Sequence, residues 1–328
     1  MSRDRFAPQD AVAEAIRKAE VLTEALHYIR AFRGKISVIK IGGSYMDNPD
    51  ALRDTLEDIV FMETVGMRPI VVHGGGRAIT RAMEAAGLEP RFVQGRRCTD
   101  SETLRIVARV LVDDVNRRLV HAIEQLGGVA VGLHYRTTPV LFGRRLTLTD
   151  AAGRVVDLGR VGEVVRVETS ILERLCEAGV VPIVPPLAVE LNGTPFTPDV
   201  DRLLNVNADT AAAAVASALR AEKLVVLTDT VGVLRDRSDP ESLAPSLTAS
   251  ECRALMARGV IDAGMVPKVE ACLHCLAAGV RKTHIVDGRV RHSLLLEIYT
   301  KRGVGTEIVP DESELVAERS SRAGPADR

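Results

Sequence analysis

Apolar residues recur at three- and four-residue steps from Val12 through Ile16, Ala19, Leu22, Leu26, Ile29 and Phe32. That is the stripe of one long helix over residues 10–33, which Gly34 stops. The β-rich run Ile36 to Ile41 then ends at Gly42-Gly43, a helical period covers Leu52–Gly66, and a second strand, Pro69–His73, runs into Gly74-Gly75-Gly76. Strand, glycines, helix, strand, glycines is the order of parallel βαβ architecture. Thr99 and Glu102 have capping-box spacing and predict a long helix towards Leu126, closed by Gly127-Gly128. A strand follows at Val129–Leu133. Residues 140–167 alternate apolar and polar with glycine breaks, which predicts hairpins. Ser170–Gly179 reads as a helix, and VVPIVPP as a buried strand closed by prolines.

The second half repeats the logic. An Ala-rich helix over Asn207–Ala221 leads to a strand, Lys223–Asp229, and a polar loop, Arg235–Pro245. Thr248 to Glu251 forms a capping box opening a helix to Arg258. Helix 265–278, strand 283–287, helix 292–300 and strand 305–309 complete the elements. The charged, Ala/Ser-rich tail 310–328 is expected to be mobile. The whole reads as an α/β fold with an N-terminal helical extension.

Composition narrows the class. With 43 basic and 44 acidic side chains the net charge is −1, which supplies no long-range field for nucleic acid or an anionic membrane. No apolar run approaches a bilayer span, and MSRDRFAPQD lacks the apolar core of a signal peptide. Five cysteines in 328 residues make no disulfide framework, so a cytoplasmic, reducing location is expected. Only seven of the basic residues are Lys, at 18, 35, 40, 223, 268, 282 and 301. Against an Arg-rich background, a retained Lys marks places where a compact ammonium is wanted.

Two of those lysines lie in motifs that carry chemistry. Lys40-Ile-Gly-Gly-Ser44 sits at a strand's C-terminal end, where open parallel sheets face their ligands and glycines let backbone N–H groups approach phosphate. Taken alone it fits a plain turn with a snorkelling lysine as well. It matches neither the P-loop nor GxGxxG, which removes a dinucleotide-binding oxidoreductase. His73-Gly74-Gly75-Gly76 reads as a second anion cradle, with His73 packing or orienting rather than reacting. Asn205-Val-Asn-Ala-Asp209 precedes the Ala-rich helix and exceeds what N-capping requires. Gly264-Met-Val-Pro-Lys268 puts a cation in a helix's first turn, against the dipole, which asks for an anionic partner. Two ammoniums, two glycine cradles and a carboxylate are the parts phosphoryl transfer needs. Arg96-Arg97 could clamp a carboxylate or be surface charge. Cys272-x-x-Cys275 reads as helix packing rather than a metal pair.

In this order KIGGS, HGGG, Gly95-x-Arg97-x-Thr99, NVNAD and GMVPK resemble the acetylglutamate kinases of the amino-acid kinase family, from about residue 20 to 309. The resemblance implies an open, mainly parallel sheet sandwiched by helices. It implies an acyl-amino-acid lobe over 35–200, an ATP lobe over 201–309, and use of ATP with Mg²⁺ to phosphorylate the side-chain carboxylate of N-acetyl-L-glutamate. Carried over by position, Lys40 and Lys268 stabilise the transferring phosphoryl group and Asp209 orients both. Gly43 and Gly74 cradle phosphate, while Gly75, Gly76, Arg97 and Asn205 hold the acceptor. Residues 1–34 resemble the oligomerising extension of arginine-inhibited hexamers built as trimers of dimers. The matching inhibitor positions are His284, Glu297 and Gly303, with Tyr28 closing over them, and a PII-type signalling protein is a possible further partner. The sequence departs from the usual pattern at Gln94–Thr99, at Gly132–Pro139, and at Arg77, where the family has Pro. Alternatives are a kinase for a related acyl amino acid such as acetylaminoadipate, and a weakly catalytic arginine-binding regulatory subunit.

Overall fold

In the computed structural model, residues 9–149, 153–191, 199–300 and 303–311 are described. The chain forms, in order, α1 (Gln9–Phe32), β1 (Ile36–Ile41), α2 (Pro49–Thr64), β2 (Arg68–His73), α3 (Gly76–Ala85), β3 (Phe92–Val93), β4 (Arg96–Arg97), α4 (Ser101–Arg109), α5 (Arg117–Gln125) and β5 (Ala130–Gly132). Then come β6 (Leu141–Arg145), β7 (Leu148–Thr149), β8 (Val155–Val156), β9 (Gly162–Val167), α6 (Thr169–Glu177), β10 (Val181–Val184), β11 (Leu187–Glu190) and β12 (Leu203–Asn205). The last third holds α7 (Ala208–Ala218), β13 (Lys223–Thr228), β14 (Ser246–Thr248), α8 (Ala249–Ala257), α9 (Val266–Ala277), β15 (Lys282–Asp287), α10 (Ser293–Tyr299) and β16 (Thr306–Val309).

Eight strands form one sheet in the order β14-β16-β15-β13-β1-β2-β10-β5. Every pairing in it is parallel except β15 with β16. Strands covered on both faces read as continuous apolar runs, and β1 shows how this works. Ile39 and Ile41 enter the core beneath α2, α5 and α10, with Leu56, Ile59 and Leu294. Val38 points to the opposite core, with the alanines of α7 and with Cys272 and Cys275 of α9. The predicted fold is therefore the observed one: a mainly parallel sheet between helical layers, preceded by α1. The hairpins expected over 140–167 are β6 with β9, in a smaller sheet β12-β11-β6-β9, and β7 with β8, a ribbon of its own; β11 and β12 have no counterpart among the predicted elements.

The long helix expected after Thr99 is continuous but not uniform: residues Val110–Asn116 wind as a π-helix between α4 and α5. Its cap is also one residue later than predicted. Asp100, not Thr99, accepts from Thr103 N at 2.8 Å, and Thr99 Oγ1 instead donates to Arg97 O and accepts from Asn205 Nδ2. The Thr248–Glu251 capping box is present with both reciprocal bonds. Most of the predicted tail, from residue 312, lies outside the described residues, as do residues 1–8.

Candidate active site

Parallel register aligns the C-terminal ends of the central strands. Ile41 pairs with His73 on one side and Leu227 on the other, and Thr228 pairs with Asp287. The turns after β1, β2 and β13 thus open on one edge, the crevice edge of an open α/β sheet.

Lys40 shares a strand face with Val38, two residues earlier, so its side chain points towards α7. Asn207 caps that helix, its Oδ1 accepting from Asp209 N at 2.8 Å and Thr210 N at 3.1 Å. Asp209 therefore falls in the first turn, where the helix field favours a carboxylate. Lys40 Nζ lies 2.9 Å from Asp209 Oδ1, and Lys268 Nζ, from the first turn of α9, lies 4.0 Å from Oδ2. Burial pushes the Asp209 carboxyl up, but Lys40 and Lys268 outweigh it and hold it below the ordinary carboxylate value. The result is a buried anion with a cation on each oxygen. Lys268 Nζ also donates to Gly264 O at 3.0 Å.

The glycine turns have separate reasons to be glycine. At Gly42 a Cβ would collide with the end of the Lys40 side chain, whereas Gly43 has φ 103° and faces Asp229. Ser44 donates to Asp229 Oδ2 from N at 3.0 Å and from Oγ at 2.5 Å, the main cause of an Asp229 pKa lowered to about 2. At Gly75 a Cβ would lie 2.7 Å from Leu111 Cδ2. His73 is fully buried, with Nδ1 2.8 Å from Gly74 O and Nε2 3.2 Å from Asn116 Nδ2. Burial depresses its pKa to about 4. It is a neutral orienting residue, as expected, and its partner comes from the π-helical segment.

Arg97 lies at the end of the β3–β4 hairpin with its guanidinium 4.7 Å from the Phe92 ring centroid. It donates to Gly76 O at 3.1 Å and Thr80 Oγ1 at 2.7 Å, both on α3. Asn205 donates to Thr99 Oγ1 at 3.0 Å. A cavity of about 230 Å³ is bounded by Lys40, Gly74, Arg97, Asn205 and Asp209. It shares Gly43, Gly75, Gly76 and Arg97 with a cavity of about 490 Å³ that reaches Asp229. A third, of about 260 Å³, is lined mostly by apolar groups of 230–234 and 260–265. The structure thus brings Lys40, Asp209, Lys268, Gly43, Gly74, Gly75, Gly76, Arg97 and Asn205 to one place. Asp229, Asn116 and the third cavity were missed by sequence reasoning. Asp229 alone carried a signal, since it closes the predicted strand Lys223–Asp229 and directly follows β13.

His284, Glu297 and Gly303 cluster elsewhere. Glu297 Oε1 is 2.8 Å from His284 Nδ1, and Oε2 accepts from Val304 N at 2.7 Å and Gly305 N at 3.0 Å. Gly303 has φ 59° and lies against the same carboxylate. Lys223 Nζ is 3.2 Å from His284 Nε2, and burial lowers the lysine to about 8. On α1, Tyr28 meets Tyr299 edge-on with centroids 6.4 Å apart, and Phe32 covers Lys223. Cys272 and Cys275 are fully buried within α9, their thiols pushed up by burial, as packing residues would be. Among the described residues, Asp54, Glu57 and His292 are the group spaced to hold a cation, and they line none of these cavities. No described helix is long and apolar enough to cross a membrane.

This sheet, with two glycine turns and a carboxylate held between two lysines at its crevice edge, defines a phosphotransferase. The chain belongs to the amino-acid kinase family, whose model matches residues 35–287. Within that family it is 46% identical over 297 residues to an acetylglutamate kinase of Symbiobacterium thermophilum, covering 90% of this chain and 99% of that one. It is 43% identical over 302 residues to one of Methanocaldococcus jannaschii, covering 91% and 98%. A crystal structure of N-acetylglutamate synthase from Neisseria gonorrhoeae, with coenzyme A and N-acetylglutamate, superposes with a TM-score of 0.76 at 26% identity. That match covers 89% of this chain and 63% of the synthase.

Proposed function

We infer that this chain transfers the γ-phosphoryl group of ATP to the side-chain carboxylate of N-acetyl-L-glutamate, giving ADP and N-acetyl-γ-glutamyl phosphate for arginine biosynthesis. The observation that carries the reading is the buried Lys40–Asp209–Lys268 centre between the two glycine turns, in a chain similar over its length to acetylglutamate kinases. An acceptor carboxylate oxygen attacks the γ-phosphorus while the bond to the β,γ-bridging oxygen breaks, and that electron pair leaves on ADP. The acceptor is already an anion, so no general base is required, in keeping with a neutral His73. Charge on the transferring group falls to Lys40 and Lys268, with Asp209 fixing both ammoniums. Gly43 and Gly74 offer backbone to phosphate oxygens. Arg97 takes the acceptor's α-carboxylate, aided by Gly75, Gly76 and Asn205.

Magnesium bound to ATP would screen phosphate charge, and the ionised Asp229 beside Gly43 fits as its protein-side carboxylate. The apolar third cavity suits an adenine ring. This division assigns 35–200 to the acceptor and 201–309 to the nucleotide. The exposed apolar residues Val12, Ile16, Leu22 and Leu26 of α1 support pairing with a second copy in a ring-shaped hexamer. The cluster of Tyr28, His284, Glu297 and Gly303, lying where α1 meets α10, supports arginine as a feedback inhibitor.

The direct test traps the acyl phosphate as its hydroxamate with ATP and N-acetylglutamate, using free glutamate and acetylaminoadipate as comparisons. Signal with acetylglutamate and none with glutamate is expected. Signal only with another acid moves the acceptor. Lys40→Ala should abolish turnover, and a variant as active as the parent would remove Lys40 from the chemistry.

A further inference from the structure

Asp47 belongs to none of the motifs, yet it ties the turn after β1 to α3. It ends the short 3₁₀ turn Ser44–Asp47, directly after Gly43. Its carboxylate reaches α3, where Arg81 donates to Oδ1 at 3.0 Å and to Oδ2 at 3.3 Å, a fork-on-fork pair. Arg77 Nη1 lies 3.7 Å from Oδ2. Arg81 holds the Asp47 carboxyl below its ordinary value, so the pair is charged at neutral pH. The neighbouring column of the same helix, Gly76 O and Thr80 Oγ1, holds the Arg97 guanidinium. Residues 76 and 80, and 77 and 81, are adjacent i,i+4 pairs, so α3 cannot shift against Asp47 without carrying Arg97 along. Asp47, Arg81, Arg97 and Gly43 all line the 490 Å³ cavity. The Arg81 and Asp47 side chains are 60% and 33% exposed, and ion pairs so wet contribute little to stability. Geometry, then, is what the pair can supply.

We propose that Asp47 is a positioning residue. By fixing α3 against the turn after β1, it sets where Arg97 presents its guanidinium relative to the Gly43 cradle, and hence where the acceptor carboxylate meets the γ-phosphoryl group. The α3 coupling stands on geometry alone; only the identity of the acceptor rests on the acetylglutamate kinase reading.

The variant Asp47→Asn keeps the shape and removes the charge. Amide hydrogen exchange of the full-length protein should speed up in segments 74–82 and 92–97, while β1 and β2 keep their protection. In steady-state kinetics KM for acetylglutamate should rise and kcat fall, each by about tenfold, the scale of a small misplacement of reacting groups. KM for ATP should stay within about twofold and Tm within about 2 °C, since a surface pair carries little stability. Asp47→Glu, which keeps the charge, and the swapped pair Asp47→Arg with Arg81→Asp should each recover part of the loss. Unchanged exchange in both segments would overturn the proposal, whatever the acceptor proves to be. So would equal increases in both KM values, or a failure of both rescue variants with the fold intact. A parent protein inactive on acetylglutamate would instead remove the acceptor assignment, leaving the exchange experiment to decide the role of Asp47.

Discussion

His73 shows how much a single residue can carry without touching substrate. It is buried at the end of β2, where Asn116 and Gly74 O fix its ring and the glycine turn begins. Its folded pKa is depressed to about 4, so the folded state keeps it neutral while the unfolded chain takes up a proton near the ordinary value of about 6.5. Stability from this group is therefore fully present above the unfolded value and is lost as pH falls towards the folded one. Linkage puts the loss at roughly 2 kcal/mol between pH 7.5 and 5. Urea midpoints across that range should fall more steeply for the parent than for His73→Gln, and parallel slopes would show that His73 is not the titrating group. Lys40 is the opposite kind of residue. It was legible only as part of a set, because KIGGS alone fits a plain turn and the second lysine, the second glycine cradle and the NVNAD carboxylate are what pointed it towards phosphoryl transfer.

At the scale of elements, the turn after β1 is shaped by its neighbours. Gly42 has no left-handed backbone to justify it, and its missing Cβ is the room into which the Lys40 ammonium folds. Gly42→Ala should thus displace a flexible side-chain end rather than backbone. Activity should drop by about a hundredfold, as for a lost charge-stabilising donor, while Tm moves by no more than about 3 °C. A variant with full activity would mean that Lys40 works from another rotamer. Most strands of the central sheet were read closely from periodicity, and β1 was matched at both ends, whereas β3, β4, β11, β12 and β14 had no predicted counterpart. The π-helical stretch between α4 and α5 was not read either, because its residues keep an ordinary helical pattern and only the contact of Asn116 with His73 and Ile183 O reveals its use. The 3₁₀ turn ending at Asp47 was invisible for the same reason, since its partners are distant in sequence.

For the molecule as a whole, α1 stands apart. Its inner face packs through Tyr28, Ile29 and Phe32 on the core, and its outer face leaves Leu22 71% and Ile16 53% exposed. A row of exposed apolar side chains on one helix face suits burial against a partner, as in the proposed pairing of copies. Replacing Leu22 and Leu26 with Asp should lower the mass seen by sedimentation equilibrium while turnover without arginine stays within about threefold, since α1 lines none of the cavities. An unchanged mass would remove the proposed pairing through α1. Millimolar arginine should inhibit the parent and spare Glu297→Gln, read in the hydroxamate assay; equal inhibition of both would move the inhibitor site.

By itself the sequence determined the layered α/β architecture, the ends of most central strands and most of the residues that gather at the crevice edge. Periodicity encodes which face is buried, and glycine or lysine at a strand terminus encodes what that end must approach. Only the tertiary structure decided that Asp209 sits between two lysines 228 positions apart, that Asp229 answers Ser44, and that Asp47 holds the helix that holds Arg97. Those pairings come from parallel crossovers, which bring distant turns to one edge of the sheet and leave no local pattern in the chain.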